Sequence, residues 1–172
     1  HGGIISGRDM KITVMMDLFQ HLIAHLKHLR IFKAIYKPVP YIYHQHPAEE
    51  DLYALFRHDA ELIRRDASAV IFMDDKISLS KGRKSTLKNA QKCKLSIQKS
   101  CDYDTFMMME TKILREKYKT SPTHSAGEIR MLADQFPDNI KLFSAEKNKQ
   151  MLAGTIAYEN KDAVHLQYIA SS

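Results

Sequence analysis

The chain of 172 residues has 44% hydrophobic side chains and a formal net charge of +6, a composition typical of a globular fold rather than of a disordered chain. Its apolar runs stay below the roughly 20 residues that a bilayer crossing needs, and the start His1-Gly2-Gly3 lacks the charged and apolar regions of a secretory signal. We therefore expect a soluble, cytoplasmic protein that forms one full domain or two partial ones.

The positive charge is concentrated in residues 76–101. This stretch contains no acidic residue, whereas acidic residues slightly outnumber basic ones in the rest of the chain. Its basic residues are Lys76, Lys81, Arg83, Lys84, Lys88, Lys92, Lys94 and Lys99. The two cysteines, Cys93 and Cys101, have no His or Cys companions at metal-ligand spacing, so we expect reduced thiols and no disulfide.

The first predicted helix covers residues 9–29, where apolar side chains recur at helical spacing. His21 and His25 lie one turn apart on this helix, a spacing that can hold a metal ion. The array lacks an inward-facing carboxylate, so we expect solvated histidines and no metal. Ile4 and Ile5, before the helix, read as the end of a strand.

Three further strands are predicted before the basic stretch. Residues 32–37 have strand character, although Pro38 and Pro40 remove amide donors and push this strand to an edge. Pro47 is expected to open a short helix whose Leu52, Leu55 and Phe56 face inward. Residues 60–64 and 69–74 then form two short predicted strands.

The basic stretch is expected to form a helix over residues 80–92 and a strand over 95–100. Asp104 is the predicted cap of a long helix to about residue 119, and the methionines 107–109 fill the core on its apolar side. Ser125 and Glu128 have the spacing of a capping box, which predicts another helix ending before Pro137.

Three runs close the chain: residues 140–145, 151–158 and 163–170. The polar connections between them suit tight turns, so we predict three antiparallel strands paired in sequence order. The middle run is nearly continuously apolar, which is typical of a central strand with both faces covered, so we expect helices packed on the sheet. The expected fold class is α+β, with a mixed, largely antiparallel sheet flanked by helices.

The order strand, two helices, three antiparallel strands resembles the first half of a domain of the GNAT superfamily of N-acetyltransferases. Several segments resemble its FemAB-like branch more narrowly, whose members carry two such domains in tandem. The segments that carry the resemblance are residues 40–44, 47–56, 62–66, 83–90, 122–125, 136–140 and 165–172.

This resemblance implies an incomplete GNAT-like fold, in which residues 1–75 are the later half of one domain and residues 76–172 the earlier half of the next. It implies an N-acyltransferase with acyl-CoA, such as acetyl-CoA, as donor, or aminoacyl-tRNA instead. The acyl-donor loop of the family would follow Ser172, so the donor-binding half is expected to be missing.

The resemblance also places site residues. Strand residues Tyr168, Ile169, Ala170 and Ser171 would bind the donor. Transfer to an amine needs a base and an oxyanion donor, and the candidates are His165, Gln167, Tyr168 and His124. The alternative is that the first three are ordinary side chains of a half-buried strand and that His124 extends a helix cap.

Arg83, Lys84 and Lys88 are the predicted phosphate-binding residues of the basic helix. The alternatives are that these residues contact an RNA backbone or that they form a solvated surface. Residues 76–101 contain no aromatic side chain, which argues against stacking on RNA bases. The expected acceptor is a small-molecule or cell-wall-precursor amine, with tRNA as a further partner. Self-association through open strand edges is also expected. The alternative function is a non-catalytic nucleic-acid-binding or assembly module that uses residues 76–101.

Overall fold

The computed structural model describes residues 2–172, which form two compact units: the first ends at Val70 and the second spans Ile71–Ser172. Each unit has a core of its own. That the units are halves of two acetyltransferase-like domains stays a prediction.

Two helices form the core of the first unit. Helix α1 covers Ile12–His28 and helix α2 covers Glu50–Arg57, with a short 3-10 turn at Tyr41–Tyr43 between them. Met15 and Phe19 of α1 are buried together with Ala54 of α2. The second helix begins three residues after Pro47. Leu52 and Phe56, which were expected to face inward, are 42% and 74% exposed.

Tyr36 fixes the irregular chain of the first unit to α2. Its hydroxyl donates to Asp51 Oδ2 at 2.7 Å and accepts from the backbone N–H of Ile4 at 2.8 Å. Its ring packs against Phe19, with centroids 5.7 Å apart. Burial and the bond to Asp51 raise the pKa of Tyr36 to about 12.

The prediction of strands in this part of the chain is wrong. Residues 4–5, 32–37, 60–64 and 69–74 are all irregular. A strand exists only where a neighbour accepts its backbone hydrogen bonds, and here local contacts such as Tyr36 with Asp51 hold the chain instead. Phe32 is 97% exposed, so the apolar pattern of residues 32–37 does not mark a buried face.

The second unit follows the predicted order of elements. Its elements are α3 (Lys81–Lys92), β1 (Ser96–Ser100), α4 (Tyr103–Ile113), a π-helical turn (Leu114–Tyr118), α5 (Ala126–Gln135), β2 (Ile140–Lys147), β3 (Gln150–Glu159) and β4 (Val164–Ser171).

Helices α4 and α5 begin at acidic or hydroxyl caps. Asp102, not the predicted Asp104, caps α4 by accepting from the backbone N–H of Thr105. Hydrogen bonding from the Thr105 side chain, and then from its backbone N–H, lowers the pKa of the Asp102 carboxyl. Asp104 instead forms an ion pair with Arg130 of α5. The capping box of Ser125 and Glu128 is confirmed at the start of α5.

The strands form one sheet in the order β1-β2-β3-β4, and each pair is antiparallel. The α+β class and the sequence-order pairing of the last three strands are therefore confirmed, but the sheet has no parallel pair within the described residues. A two-residue turn joins β2 to β3, with Asn148 and Lys149 both at positive φ, the geometry of a type I′ hairpin.

Helices α4 and α5 cover one face of this sheet, not both as the apolar middle run led us to expect. The core lies between them and the strands; its central side chains are Phe106, Met107, Ile129, Leu142, Ile156, Tyr168 and Ala170. On the opposite face, Ile97 and Ile169 are 69% and 65% exposed. Of the methionine run, Met107 is buried, whereas Met108 is exposed.

Gly154 lets α4 approach the sheet closely. A Cβ at this position would lie 2.8 Å from the Phe106 ring and 3.0 Å from the carbonyl oxygen of Phe143. Phe106 is fully buried, so its ring has little room to move aside. Of the helices that the structure describes, none combines the length and apolar character that a bilayer crossing requires.

Gly154→Ala should destabilise the second unit by about 1–3 kcal/mol, because the added methyl overpacks the contact with Phe106. The matched control is Gly127→Ala in α5, where a Cβ would meet nothing within 4 Å. Alanine should raise stability there by up to about 1 kcal/mol. Urea unfolding followed by circular dichroism measures both changes, and equal effects of the two substitutions would contradict the packing argument.

Tyr36→Phe should destabilise the first unit by about 1–2 kcal/mol at neutral pH, because Ile4 and Asp51 lose their shared partner. The phenol is protonated below its ordinary pKa of 10.0 and holds its proton in the fold up to about 12. Its contribution is therefore fully present below pH 10 and is lost as pH rises toward 12. Thermal unfolding of both proteins at several pH values should show the difference shrinking over this range; a constant difference would contradict it.

Candidate functional site

Strand β4 contains one residue more than its pairing needs. The register with β3 shifts between Ile156 and Ala157, which leaves Gln167 without a partner. Such a β-bulge interrupts the alternation of side chains and re-aims those beyond it. As a result, His165 and Tyr168 share the face of the sheet that the helices cover, although they are three positions apart.

The phenol of Tyr168 is hydrogen-bonded to His124, which lies in the turn before α5. The phenol oxygen is 2.8 Å from His124 Nδ1, and the backbone N–H of His124 donates to the same oxygen at 3.3 Å. The rings meet edge to face with centroids 6.0 Å apart, and Tyr168 is buried. The fold thus joins two predicted site residues that are 44 positions apart in the sequence.

The capping box holds His124 in place. Ser125 exchanges hydrogen bonds with Glu128 and fixes the first turn of α5. The backbone N–H of Ser125 is the main cause of the lowered pKa of the Glu128 carboxyl. Because His124 directly precedes this cap, its backbone and ring are both directed at Tyr168. The predicted role of His124 as an extension of the cap and its contact with Tyr168 are therefore compatible.

Tyr158 belongs to the same group of side chains. It lies on the helix-covered face of β3, opposite His165. Its hydroxyl is buried and has no hydrogen-bond partner within residues 2–172. Burial raises the pKa of the Tyr158 phenol, and the nearby Tyr168 raises it further. We call His124, Tyr158, His165 and Tyr168 the histidine–tyrosine cluster.

Helix α4 places a carboxyl group in the core. Glu110 is 7% exposed, and its Oε2 atom has no hydrogen-bond partner within the described chain. Burial raises the pKa of this carboxyl. A buried carboxyl without a partner is unusual for a purely structural position, and it adds an acid to the interior of the second unit.

The open edge of β4 presents free backbone groups. The amide of Ser172 donates to Leu152 at 2.8 Å, and hydrogen-bonded and non-hydrogen-bonded pairs alternate along an antiparallel ladder. The amides and carbonyls of Ile169 and Ser171 therefore point away from β3. Of the predicted donor-binding residues, these two have their backbone at the edge, whereas Tyr168 and Ala170 bond to β3.

The predicted phosphate-binding residues lie apart from the cluster, on α3. This helix buries no side chain, and Arg83, Lys84 and Lys88 are exposed. In residues 2–172, none of the three forms an ion pair with a carboxylate. The helix begins at Ser80, whose hydroxyl accepts from the backbone N–H of Arg83 at 3.4 Å.

The paired histidines of α1 gather no third potential metal ligand within the described chain. His21 bonds through Nδ1 to the carbonyl oxygen of Asp17 at 2.7 Å. Throughout the described part of the chain, no group of His, Cys, Asp and Glu side chains has the arrangement that holds a metal ion. Cys93 and Cys101 are exposed free cysteines.

Comparisons with protein-family models, curated proteins and solved structures found no match to this chain. The chemistry of the cluster therefore follows from its own geometry. A histidine bonded to a phenol beside further titratable groups can take up and release protons, which is the function of a general acid–base pair.

Tyr158 and Glu110 are not among the site residues predicted from the sequence. A signal for Glu110 was present, since it lies four positions after Phe106 and three after Met107 and so interrupts the apolar side of α4. The side-chain periods of β3 carried no comparable signal for Tyr158. The hydroxyl of Tyr158 is buried because of the way α4 and α5 cover the sheet, and this packing cannot be seen in the sequence of β3 alone.

Glu110→Met should stabilise the second unit by about 1 kcal/mol at pH 7–8, because an apolar side chain of similar length replaces a buried carboxylate. The carboxyl has a raised pKa, so its neutral form is favoured in the fold and the penalty falls as pH drops toward 4.5. The gain should therefore shrink in acid. Glu116→Met at an exposed position is the control and should change little; a gain that grows in acid would contradict the assignment.

Proposed function

We propose that the second unit belongs to an N-acyltransferase of the FemAB-like GNAT type, which transfers an acetyl or aminoacyl group to an amine. The observation that carries the proposal is the hydrogen bond between His124 and Tyr168 on an edge strand with free backbone groups. A proton-transfer pair and a strand edge lie side by side, as acyl transfer from an extended thioester donor requires.

The donor is acyl-CoA, with aminoacyl-tRNA as the alternative. Its extended arm lies along β4, where the outward amides and carbonyls of Ile169 and Ser171 bond to it as another strand would. Gln167, the bulged residue, lies next to the reacting carbonyl. Binding in this mode depends mainly on backbone groups, so it tolerates changes in the neighbouring side chains.

The transfer step forms a bond between the amine nitrogen and the thioester carbonyl carbon and breaks the carbon–sulfur bond. In one tautomer, Nδ1–H of His124 donates to Tyr168, which leaves His124 Nε2 to accept the proton from the amine. The phenol oxygen then accepts two hydrogen bonds and its own O–H is free. That O–H donates to the carbonyl oxygen as it gains negative charge and then protonates the leaving thiolate. The resulting phenolate takes the Nδ1 proton of the His124 imidazolium across their hydrogen bond, so that in total one proton passes from the amine to the thiolate and both side chains end neutral.

A second candidate function is a non-catalytic module that binds RNA or assists assembly through α3. The observation in its favour is the exposure of Arg83, Lys84 and Lys88 on a helix without acidic residues. Such a surface binds phosphate groups without reading the bases. The first candidate is preferred because α3 contains no aromatic side chain for stacking on bases, whereas the cluster combines several groups suited to proton transfer.

The test uses the full chain with acetyl-CoA as donor and spermidine as acceptor. Equilibrium dialysis measures acetyl-CoA binding, and chromatography measures CoA release. Tyr168→Phe should lower the release rate roughly 100-fold and leave acetyl-CoA binding nearly unchanged. His124→Asn keeps a hydrogen-bonding atom near the position of Nδ1 but removes Nε2, so it should lower the rate without unfolding the chain.

Tyr118→Phe, at an exposed tyrosine, is the matched control and should behave as the parent chain does. If acetyl-CoA neither binds nor reacts, the proposal fails for this donor, and the same assay with aminoacyl-tRNA decides the alternative. Steeply salt-dependent RNA binding that disappears in an Arg83, Lys84 and Lys88 triple alanine variant, without acyl transfer, would establish the second candidate instead.

A further inference from the structure

A cleft of about 580 Å³ opens between the end of α3 and the hairpin that joins β2 to β3. Four lysines line it: Lys92 and Lys94 on one side, and Lys147 and Lys149 on the other. The volume lies within the range of roughly 300–1,000 Å³ that is usual for small-molecule sites.

The charge of this cleft is unbalanced. Glu146 is the one carboxylate among its lining residues, and it accepts a hydrogen bond from Ser144 at 2.8 Å. Within the described chain, none of the four lysines forms an ion pair. Like charges that converge on one concave surface repel each other, and the walls concentrate their field. A bound polyanion relieves this repulsion.

The backbone of this cleft has an unusual conformation at two of the four lysines. Lys94, Asn148 and Lys149 have φ values of 53°, 52° and 64°, in the left-handed region that favours glycine. Three of the six non-glycine residues with positive φ in residues 2–172 thus line this one cleft. At Lys94 and Lys149, glycine would fit the backbone better, yet each position carries an ammonium group.

The cleft shares no residue with the histidine–tyrosine cluster. Tyr168 of β4 pairs with Ile156 of β3, which in turn pairs with Leu142 of β2. Glu146, which lines the cleft, lies four residues beyond Leu142 on β2. At about 3.3 Å per residue, the cleft and the cluster are roughly 13 Å apart along the sheet. The cleft also lies beyond Arg83, Lys84 and Lys88, which do not line it.

We propose that this cleft binds a small ligand with two or three adjacent phosphate groups, either a nucleoside di- or triphosphate or inorganic polyphosphate. Four ammonium groups against one carboxylate match the charge of such a ligand, and lysines bind phosphate as point charges. Ser96, Gln98 and Asn148 add polar groups to the lining. No aromatic side chain is among the lining residues, so the phosphates dominate recognition. Phosphate binding in this cleft does not depend on the proposed acyl transfer.

Cys93 makes the proposal directly testable, because it lines the cleft and is exposed and free. The full chain is alkylated with iodoacetamide in the presence of ADP, tripolyphosphate or AMP at constant ionic strength, and mass spectrometry follows each cysteine. ADP or tripolyphosphate should slow the alkylation of Cys93 by about fivefold or more at concentrations well above Kd. Cys101 serves as the internal reference, and AMP should protect less.

The decisive variant is Lys94→Gly combined with Lys149→Gly. It removes two ammonium groups and places glycine where the backbone favours it, so the chain should fold at least as well as before. Its Kd for tripolyphosphate should rise about tenfold or more. The control is Lys119→Gly, which removes one ammonium group at a φ of 56° outside the cleft and should leave the Kd unchanged.

ADP binding more tightly than tripolyphosphate would identify a nucleotide as the ligand, and the reverse order would identify polyphosphate. Three results would overturn the proposal: equal alkylation of Cys93 with and without the phosphates, an unchanged Kd in the double variant, or an RNA duplex that competes more strongly than either ligand.

Discussion

Helix α4 packs close to the sheet because Gly154 has no side chain at the point of contact. The ring of Phe106 comes within 2.8 Å of the point where a Cβ would be, and the other contacts between α4 and the sheet depend on this close approach. Ile156 and Tyr168 are buried by the same layer. If α4 lay further from the sheet, Glu110 and the hydroxyl of Tyr158 would be open to water and would lose the burial that raises their pKa values.

Much of the second unit could be predicted from its sequence because each element has a local cause. The capping box at Ser125 and the hydrophobic periods of β2 to β4 are short-range patterns, and the structure confirms them. The strands predicted in residues 32–37, 60–64 and 69–74 had similar local patterns. A strand, however, needs a neighbour, and no local pattern specifies whether one exists.

The candidate site was predictable only in part, for the same reason. The sequence identified His124 and Tyr168 separately, but their contact depends on the bulge at Gln167, which appears only in the pairing of β4 with β3. The lysine-lined cleft shows the same limit. Lys94 belongs to the basic stretch, whereas Lys149 comes from a hairpin more than fifty residues later, and their proximity is a property of the sheet.

The bulge has a consequence for how this strand can change in evolution. Gln167 is the residue that the ladder leaves out, so its neighbours on both sides already have their partners on β3. A deletion of that one codon would leave His165 and Tyr168 on their present face, whereas a deletion elsewhere in β4 would turn part of the strand over. Position 167 is therefore the point at which the length of β4 can vary without inverting the strand, and its side chain is free to adapt to whatever lies at the sheet edge.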